Sequence, residues 1–230
     1  MARQVLFIRN DPTAPEALIG DVFAESGFSI DTFDVVAADR PDDPVRAVAF
    51  PDPGRYDVIV PLGARWAAYD DTLPWIAAEM AMLRCALDGG AAVFGVCFGG
   101  QLLARALGGT VERSARPEIG WHEVQTDDAG LVPGGPWFQW HFDRFTAPPG
   151  ARPVARNASA TQAFVHGRAL GVQFHPEVDE ALVEQWIADG AEDMAALGVD
   201  AGDLRARTTR VAGDAAARLR QLVRGLLALG

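Results

Sequence analysis

Apolar and polar positions along the first half of the chain follow a repeated order, in which a short apolar run precedes a longer amphipathic stretch. Four apolar runs predict buried strands, at 4–9, 28–36, 56–61 and 91–96. Apolar positions three and four residues apart, with glycines after them, predict helices at 15–27, 73–87 and 98–107. Prolines and acidic residues predict a loop at 37–55. Strands that alternate with helices predict an α/β fold, with a mostly parallel sheet covered by helices on both faces.

The pattern changes after Thr110, where β segments follow one another with short turns. They predict an antiparallel extension of the sheet or a β-ribbon, at 111–126, 137–146, 153–157 and 163–174. Helices are predicted again at 180–189 and 214–229, the second with Asp214 as its N-cap. Because no linker or repeat divides the chain, residues 1–230 are expected to form a single domain, with a helical extension from about residue 190.

The composition narrows the class of protein. The 230 residues are 49% hydrophobic and 22% charged, as in an ordinary globular domain, and the net charge of −11 argues against a nucleic-acid partner. All 20 basic residues are arginine, which excludes a Schiff-base lysine and the lysine of a phosphate-binding P-loop. The two cysteines do not indicate a disulfide framework. Neither a signal peptide nor a run long enough to span a bilayer is visible, so a cytoplasmic protein without membrane contact is expected.

The turn around Cys97 carries the clearest chemical signal. Residues 95–99 read Gly-Val-Cys-Phe-Gly and lie between a predicted strand and a predicted helix. A Gly-x-nucleophile-x-Gly turn is strained and lifts its central side chain off the end of the strand. The helix N-terminus favours a thiolate and offers N–H groups to a developing oxyanion. The motif therefore predicts covalent acyl transfer through a thioester.

A nucleophilic cysteine needs a base, and the base needs a group that orients it. Of the four histidines, His175 is the strongest candidate because it ends an apolar strand in the segment 171–177, Gly-Val-Gln-Phe-His-Pro-Glu. Extended backbone places Glu177 on the same side as His175, so Glu177 can hold the imidazole while the other ring nitrogen faces Cys97. Taken alone, His-x-Glu also fits a capped strand end with a surface glutamate. No Cys or His partner stands at zinc-site spacing, so neither a metal nor another cofactor is expected.

Together, these motifs resemble those of the class I, or triad-type, glutamine amidotransferases. The resemblance rests on Gly95-Val-Cys-Phe-Gly-Gly-Gln101 and His175-Pro-Glu177, in the family's order and about eighty residues apart. It covers roughly residues 1–190 and is nearest to free-standing proteins similar to the glutaminase domain of GMP synthase. The resemblance implies a flavodoxin-like α/β fold and a catalytic triad of Cys97, His175 and Glu177.

The resemblance also implies residues for an oxyanion hole and for substrate binding. The family has a glycine-rich loop after the third strand, and Gly63 is the matching residue here. The resemblance implies that the N–H of Gly63 and the N–H of Phe98 together form the oxyanion hole. Its usual Gly-Gly-Pro is replaced by Leu-Gly-Ala at 62–64. The substrate-binding residues implied are Gln101, Trp140, His141 and Asp143. Each of these segments also has a purely structural explanation. The loop at Gly63 also fits a tight strand-to-helix turn, and Gln101 also fits a solvated glutamine on a helix. The segment of Trp140, His141 and Asp143 also fits a half-buried aromatic strand.

The expected function is hydrolysis of the γ-amide of glutamine through a cysteinyl thioester, with release of ammonia. Two alternatives remain open. A γ-glutamyl peptide hydrolase would use the same Cys-His-Glu triad but would free an amine, and a non-catalytic relative would bind a ligand or partner on the same scaffold. Only about forty residues follow the family-like region, too few for an ATP-using synthase domain. A synthase subunit on a separate chain is therefore one expected partner.

Overall fold

The computed structural model describes residues 3–40 and 44–230. Its strands are β1 (Arg3–Arg9), β2 (Phe28–Asp34), β3 (Val58–Pro61), β4 (Ala92–Val96), β5 (Val111–Thr126), β6 (Gly135–Phe145), β7 (Arg152–Arg156), β8 (Thr161–His166) and β9 (Ala169–Val172). Its helices are α1 (Ala17–Glu25), α2 (Pro74–Asp88), α3 (Phe98–Ala106), α4 (Glu180–Asp189), α5 (Ala191–Leu197) and α6 (Ala201–Leu227). A single 3₁₀ turn is formed by Pro53–Arg55 within the described residues.

The strands form one sheet of nine strands across the described residues, in the order β2-β1-β3-β4-β9-β8-β7-β5-β6. The first five strands of this order are mutually parallel. The remaining pairs are antiparallel, and β5 pairs with β7 only at Gln125 and Thr126, whereas β5 and β6 pair along most of their length. The predicted α/β fold, with a mostly parallel sheet and an antiparallel extension, is confirmed, and β5 and β6 also form the ribbon that the sequence left open.

Apolar residues cover both faces of the parallel strands. In β1, Val5 and Phe7 join the apolar cluster to which α1 and α6 contribute, while Leu6 and Ile8 join the cluster to which α2 and α3 contribute. This division follows from the alternation of side chains along a strand. A parallel sheet buried on both faces has its polar openings at the strand ends, so loops after β3, β4 and β9 meet at one edge.

The long C-terminal helix differs from its prediction. Helix α6 begins at Ala201, and the carboxylate of Asp200, not that of Asp214, caps it by accepting the N–H of Asp203. The predicted N-cap at Asp214 is wrong because that residue lies inside the helix, which already buries Leu204 and Thr208 one and two turns after its start. The capping residue type was recognised correctly, but two aspartates compete for the role and tertiary packing selects the first.

The predicted β segment at 163–174 is divided in two. Strands β8 and β9 are joined by a turn in which Gly167 has a φ of 56°, a backbone region that glycine adopts readily. The predicted loop at 37–55 is confirmed for its described residues apart from the 3₁₀ turn, while residues 41–43 lie outside the described part of the chain. Among the described residues, no helix combines the length and apolar character needed to cross a bilayer.

Candidate active site

The backbone at Cys97 has the strained conformation that the sequence predicts for an elbow. Cys97 follows β4, precedes the first residue of α3, and has a φ of 49°, an unfavourable value for a residue with a side chain. Such a conformation costs on the order of 1–3 kcal/mol and persists only where neighbours enforce it. The N–H of Cys97 donates to the carbonyl of Val172 in β9 at 2.9 Å, so the parallel sheet itself holds the turn.

The glycines of this elbow are required by close backbone contacts. A Cβ atom on Gly99 would overlap the carbonyl of Pro61 at the end of β3, and one on Gly100 would lie 2.5 Å from the carbonyl oxygen of Val172. Helix α3 therefore starts directly against β3 and β9. This proximity brings the N-terminus of the helix to the edge of the sheet where the loops meet.

The sulfur of Cys97 lies in a narrow, polar surrounding. The side chain amide of Gln173 approaches it at 3.8 Å, and the backbone carbonyl of Trp140 lies 4.0 Å away. Cys97 is only 5% exposed, so a substrate has to reach it through a restricted opening. Cys85, in contrast, is exposed on α2.

His175 and Glu177 form a buried pair after β9. His175 Nδ1 lies 2.6 Å from Glu177 Oε1, which leaves Nε2 as the ring nitrogen available to another group. The ring packs edge-on against Trp186 of α4, with 4.7 Å between centroids, and the N–H of His175 donates to the carbonyl of Phe138 at 2.8 Å. The backbone carbonyl of Glu177 accepts the N–H of Leu18 at 3.2 Å. Contacts from α1, α4 and β6 thus fix the imidazole in position.

The electrostatics of the pair favour a charged imidazole. Burial alone would lower the pKa of His175, but the charges of Cys97 and Glu177, and hydrogen bonds to both, raise it well above its ordinary value. The structure therefore brings Cys97, His175 and Glu177 together, from positions that are far apart along the chain. This direction of the pKa shift supports an imidazolium beside the sulfur of Cys97.

Two backbone N–H groups at this edge of the sheet have no protein acceptor among the described residues. In the described part of the chain, the N–H groups of Gly63 and Phe98 make no hydrogen bond with protein atoms. Phe98 is the first residue of α3, where N–H groups are free by geometry. A Cβ on Gly63 would lie 3.1 Å from Cε1 of His175, so this residue borders the imidazole. Both predicted oxyanion donors thus lie at the edge of the sheet that carries Cys97, His175 and Glu177.

Gln101 and Asp143 are buried neighbours, and both connect to Gln173, which contacts the sulfur, through the side chain of Gln101. The side chain amide of Gln101 donates to the backbone carbonyl of Asp143 at 3.3 Å and to Gln173 Oε1 at 3.4 Å. The Asp143 carboxylate lies 3.4 Å from the Tyr69 hydroxyl and 3.7 Å from Arg113 Nη1. Burial raises the pKa of Asp143 despite these partners. A largely buried carboxylate of this kind is suited to a cationic group such as an α-amino group.

The side chains of Trp140 and His141 point away from the sulfur. The indole of Trp140 donates to Asp193 at 3.4 Å, while its carbonyl is the group that faces Cys97. The ring of His141 lies between a carboxylate oxygen of Glu118, at 3.2 Å, and the carbonyl of Asp143, at 3.0 Å. In this segment the backbone, and not the side chains of Trp140 and His141, thus faces the sulfur. A direct contact of the two side chains with substrate stays a prediction.

The sequence pattern did not identify several polar residues that lie near the sulfur or Asp143, namely Gln173, Tyr69 and Arg113. Gln173 lies within the quoted 171–177 segment and two residues before His175, so the period of a strand could have placed it on the side of the imidazole. No local signal marked Tyr69 or Arg113, because their positions depend on where the ribbon and the loop after β3 fold. Within residues 3–40 and 44–230, no three His, Cys, Asp or Glu side chains are arranged to hold a metal ion.

Comparison with known proteins defines the class. The model of the family described as glutamine amidotransferase class-I matches residues 63–190, more than half of the chain, and the chain therefore belongs to this family. A glutamine amidotransferase from Thermotoga maritima superposes with a TM-score of 0.85 over 99% of both chains, at 27% identity. One from Methylobacillus flagellatus superposes with a TM-score of 0.80 over 98% of this chain and 96% of the other, at 26% identity.

Several curated relatives are GMP synthases. The chain is 43% identical to GMP synthase (glutamine-hydrolyzing) of Aeropyrum pernix over 98 residues, which are 39% of this chain and 19% of that protein. It is 41% identical to one subunit of the GMP synthase (glutamine-hydrolyzing) of Sulfurisphaera tokodaii over 93 residues, 36% of this chain and 50% of that subunit. The match spans about a fifth of the length of the first of these relatives.

Proposed function

We propose that this chain hydrolyses the γ-amide of glutamine through a thioester on Cys97. The observation that carries the proposal is the sulfur on its strained turn beside the buried His175–Glu177 pair. Class I membership supports glutamine as the amide donor. Each step uses only protein groups and water.

In the first half of the reaction, the thiolate of Cys97 attacks the γ-carbon and the amide oxygen becomes an oxyanion. The N–H groups of Gly63 and Phe98 stabilise that oxyanion, and each such donor typically contributes about 3 kcal/mol to the lowering of the barrier. The tetrahedral intermediate collapses as the C–N bond breaks. The leaving nitrogen takes the proton from Nε2 of the His175 imidazolium and departs as ammonia, which leaves a γ-glutamyl thioester and a neutral imidazole.

In the second half, the neutral imidazole of His175 removes a proton from water, and the resulting hydroxide attacks the thioester carbon. The same two N–H groups stabilise the second oxyanion. The C–S bond then breaks, glutamate leaves, and the thiolate and imidazolium are restored. Glu177 keeps the ring in one tautomer and favours its charged form throughout, as the short Nδ1 to carboxylate contact supports.

Substrate binding is assigned to the cleft beside the sulfur. We assign the α-amino group of glutamine to the buried carboxylate of Asp143, and the backbone of residues 140–143 to the rest of the amino-acid moiety. Gln101 holds this segment through the carbonyl of Asp143. Trp140 and His141 then act through their backbone groups and their packing.

The partner and the location are also proposals. The similarity to one subunit of a GMP synthase supports a synthase subunit on a separate chain as the recipient of the ammonia. We further propose that residues 1–230 act as one catalytic domain in the cytoplasm. Addition of a candidate synthase subunit should raise glutamine turnover if the two chains work together, and an unchanged rate with every candidate contradicts the partner.

A substrate panel tests the reaction itself. The purified chain should release ammonia and glutamate from glutamine at a higher kcat/KM than it releases amines from γ-glutamyl dipeptides. The reverse preference would assign the site to a γ-glutamyl peptide hydrolase with the same triad. Failure to act on either class, together with no thioester detectable by mass spectrometry, would leave only a non-catalytic binding role.

Covalent labelling tests the nucleophile. The glutamine-like electrophile diazo-oxo-norleucine should alkylate Cys97 and leave the exposed Cys85 largely unmodified, and glutamine should protect Cys97. The Cys97→Ala and His175→Ala variants should lose turnover, while Cys85→Ala serves as the matched control and should keep the wild-type rate. Equal labelling of both thiols, or turnover by Cys97→Ala, contradicts the mechanism.

A further inference from the structure

The peptide between Leu62 and Gly63 has its carbonyl fixed by two hydrogen-bond donors. The Leu62 oxygen accepts the N–H of Gly99 at 3.1 Å and the side chain amide of Asn10 at 3.3 Å. In a planar trans peptide the C=O and the N–H point in opposite directions. Two donors on the Leu62 carbonyl therefore also determine the direction of the Gly63 N–H, which has no protein acceptor in the described residues.

Asn10 is itself held by a buried carboxyl group. Asn10 follows β1, Glu79 lies on α2, and both are 0% exposed. The same amide nitrogen of Asn10 that reaches Leu62 also donates to Glu79 Oε1 at 3.3 Å. One NH₂ group thus uses its two hydrogens on two acceptors. Because both neighbours are acceptors, the amide cannot be turned over without facing oxygen to oxygen.

The protonation of Glu79 fits this arrangement. Burial raises the pKa of Glu79 from its ordinary value of 4.5 to about 8, so the carboxyl is largely neutral at pH 7 and carries an O–H. Glu79 Oε2 and Asn10 Oδ1 are buried without a partner among the described residues. A carboxylic acid and a carboxamide are complementary, because each offers one donor and one acceptor, so a proton on Oε2 can satisfy both oxygens.

We propose that Asn10 and Glu79 are positioning residues that hold the Leu62–Gly63 peptide with its N–H directed at the reacting carbonyl group. Neither side chain touches the substrate, since both act through the Leu62 carbonyl. The inference rests on the proposed amide hydrolysis, because it assigns a role to one of the two oxyanion donors. It also gives a role to two buried polar residues that the mechanism does not otherwise use.

The expected effect lies in the transition state. Removal of an oxyanion donor typically lowers kcat by about 10²–10³-fold. Loss of the Asn10 contact leaves the Gly99 N–H as the one donor on the Leu62 carbonyl among the described groups, so the peptide is held less firmly. We therefore expect Asn10→Ala and Glu79→Leu to lower kcat by about 10–100-fold, with KM within about twofold of wild type, because the oxyanion forms only during the reaction.

The decisive comparison is between Glu79→Leu and Glu79→Gln. A glutamine retains one donor and one acceptor in place of the acid, so Glu79→Gln should keep kcat close to that of the wild type. Tyr56→Phe is the matched control, because it removes a hydroxyl bonded to Asp31 at 3.1 Å within the same apolar cluster, remote from the loop. It should leave kcat unchanged.

A second measurement does not depend on turnover. The ¹H–¹⁵N resonance of the Gly63 amide should be single and similar in the wild type and in Glu79→Gln, and it should shift or split in Asn10→Ala and Glu79→Leu. Wild-type kcat in both of those variants, together with an unchanged Gly63 resonance, overturns the proposal. An equal loss of kcat in Glu79→Gln and Glu79→Leu also overturns the proposal. A wild-type chain that hydrolyses no glutamine contradicts the proposed function instead, and the Gly63 resonance then still tests the positioning.

Discussion

The two halves of the sheet contribute to the site in different ways. The half made up of β2-β1-β3-β4, here called the parallel half although β9 also runs parallel to β4, supplies backbone geometry. It provides the strained turn that carries Cys97, the first N–H of α3 and the N–H of Gly63, which has no protein acceptor among the described residues. The other half begins at β9 and supplies charged and polar side chains, among them His175, Glu177 and Asp143. In the proposed mechanism, the parallel half therefore determines where bonds are made and broken, and the other half determines the charges around them.

This division explains which residues tolerate change. Backbone roles depend on glycine and on peptide direction, since a Cβ added at Gly95, Gly99 or Gly100 meets a neighbouring main chain. Side chain roles depend on charge and tautomer, which an isosteric substitution can alter without moving the backbone. Four changes test the comparison, beginning with the one for which we expect the largest effect.

Glu177→Gln tests whether charge is the contribution of the second half. The amide retains the shape of the glutamate but removes the negative charge beside His175 Nδ1, so the pKa of His175 should fall and the tautomer should change. Loss of the equivalent acid in a serine triad lowers kcat about 10⁴-fold, and we expect a loss of that order in steady-state kinetics. Glu180→Gln, an exposed change at the start of α4, is the matched control and should have no effect. If Glu177→Gln lowers kcat only slightly, then Glu177 contributes by holding the His175 ring in position and not by its negative charge.

Gly99→Ala tests whether the parallel half depends on backbone contact. The added methyl group would overlap the carbonyl of Pro61, so the free energy of unfolding should fall by at least about 3 kcal/mol, measured by urea denaturation. Gly213→Ala in α6 is the matched control, because a Cβ there meets no atom within 4 Å. It should stabilise the protein by about 0.5–1 kcal/mol, as expected for glycine replaced in a helix. Similar free energies of unfolding for Gly99→Ala and Gly213→Ala would mean that the backbone around Gly99 can move enough to accept the methyl group.

The pH dependence of stability tests the buried acid of the parallel half. The pKa of Glu79 is raised from 4.5 in the unfolded chain to about 8 in the fold, so unfolding releases a proton between these values. The contribution of protonated Glu79 to stability is therefore fully present below pH 4.5 and falls as pH rises towards 8, by at most about 1.4 kcal/mol per pH unit.

The neutral variant Glu79→Gln lacks this proton release. Relative to the wild type it should become more stable as pH rises from 4.5 to 8, by a few kcal/mol in total, in urea denaturation at a series of pH values. Parallel curves for the two proteins would show that Glu79 is ionised in the fold. That result would remove its O–H as a donor to Asn10.

The cap of α6 provides the smallest effect. Asp200→Ala should lower the free energy of unfolding by about 1 kcal/mol, because it removes the acceptor for the Asp203 N–H at the first turn. Asp214→Ala, inside the helix and exposed, should change it little. Thermal denaturation of both variants compares them directly, and a larger loss for Asp214→Ala would place the start of the helix at the position that the sequence pattern favoured.

Much of the parallel half follows from local sequence. Apolar runs and helical periodicity predicted β1 to β4 and α1 to α3 to within a few residues, because burial on both faces leaves a clear pattern. The segment 95–99 indicates its turn through glycine spacing, and the two-residue separation of His175 and Glu177 places them on one side of an extended chain. Each of these signals lies within a few positions along the chain, where backbone geometry alone relates the residues.

What only the tertiary structure decided are contacts between distant positions. Asn10 meets Glu79 across 69 residues, and Gln173 meets Cys97 across 76, because strand order brings β1, β4 and β9 to one edge. The choice between Asp200 and Asp214 as helix cap likewise depends on which turns α6 can bury. A local pattern records which side of an element is apolar, but it does not record which polar groups meet when the elements pack. The sequence thus indicated the proposed nucleophile and its proposed base, and the packing determined the groups that surround and orient them.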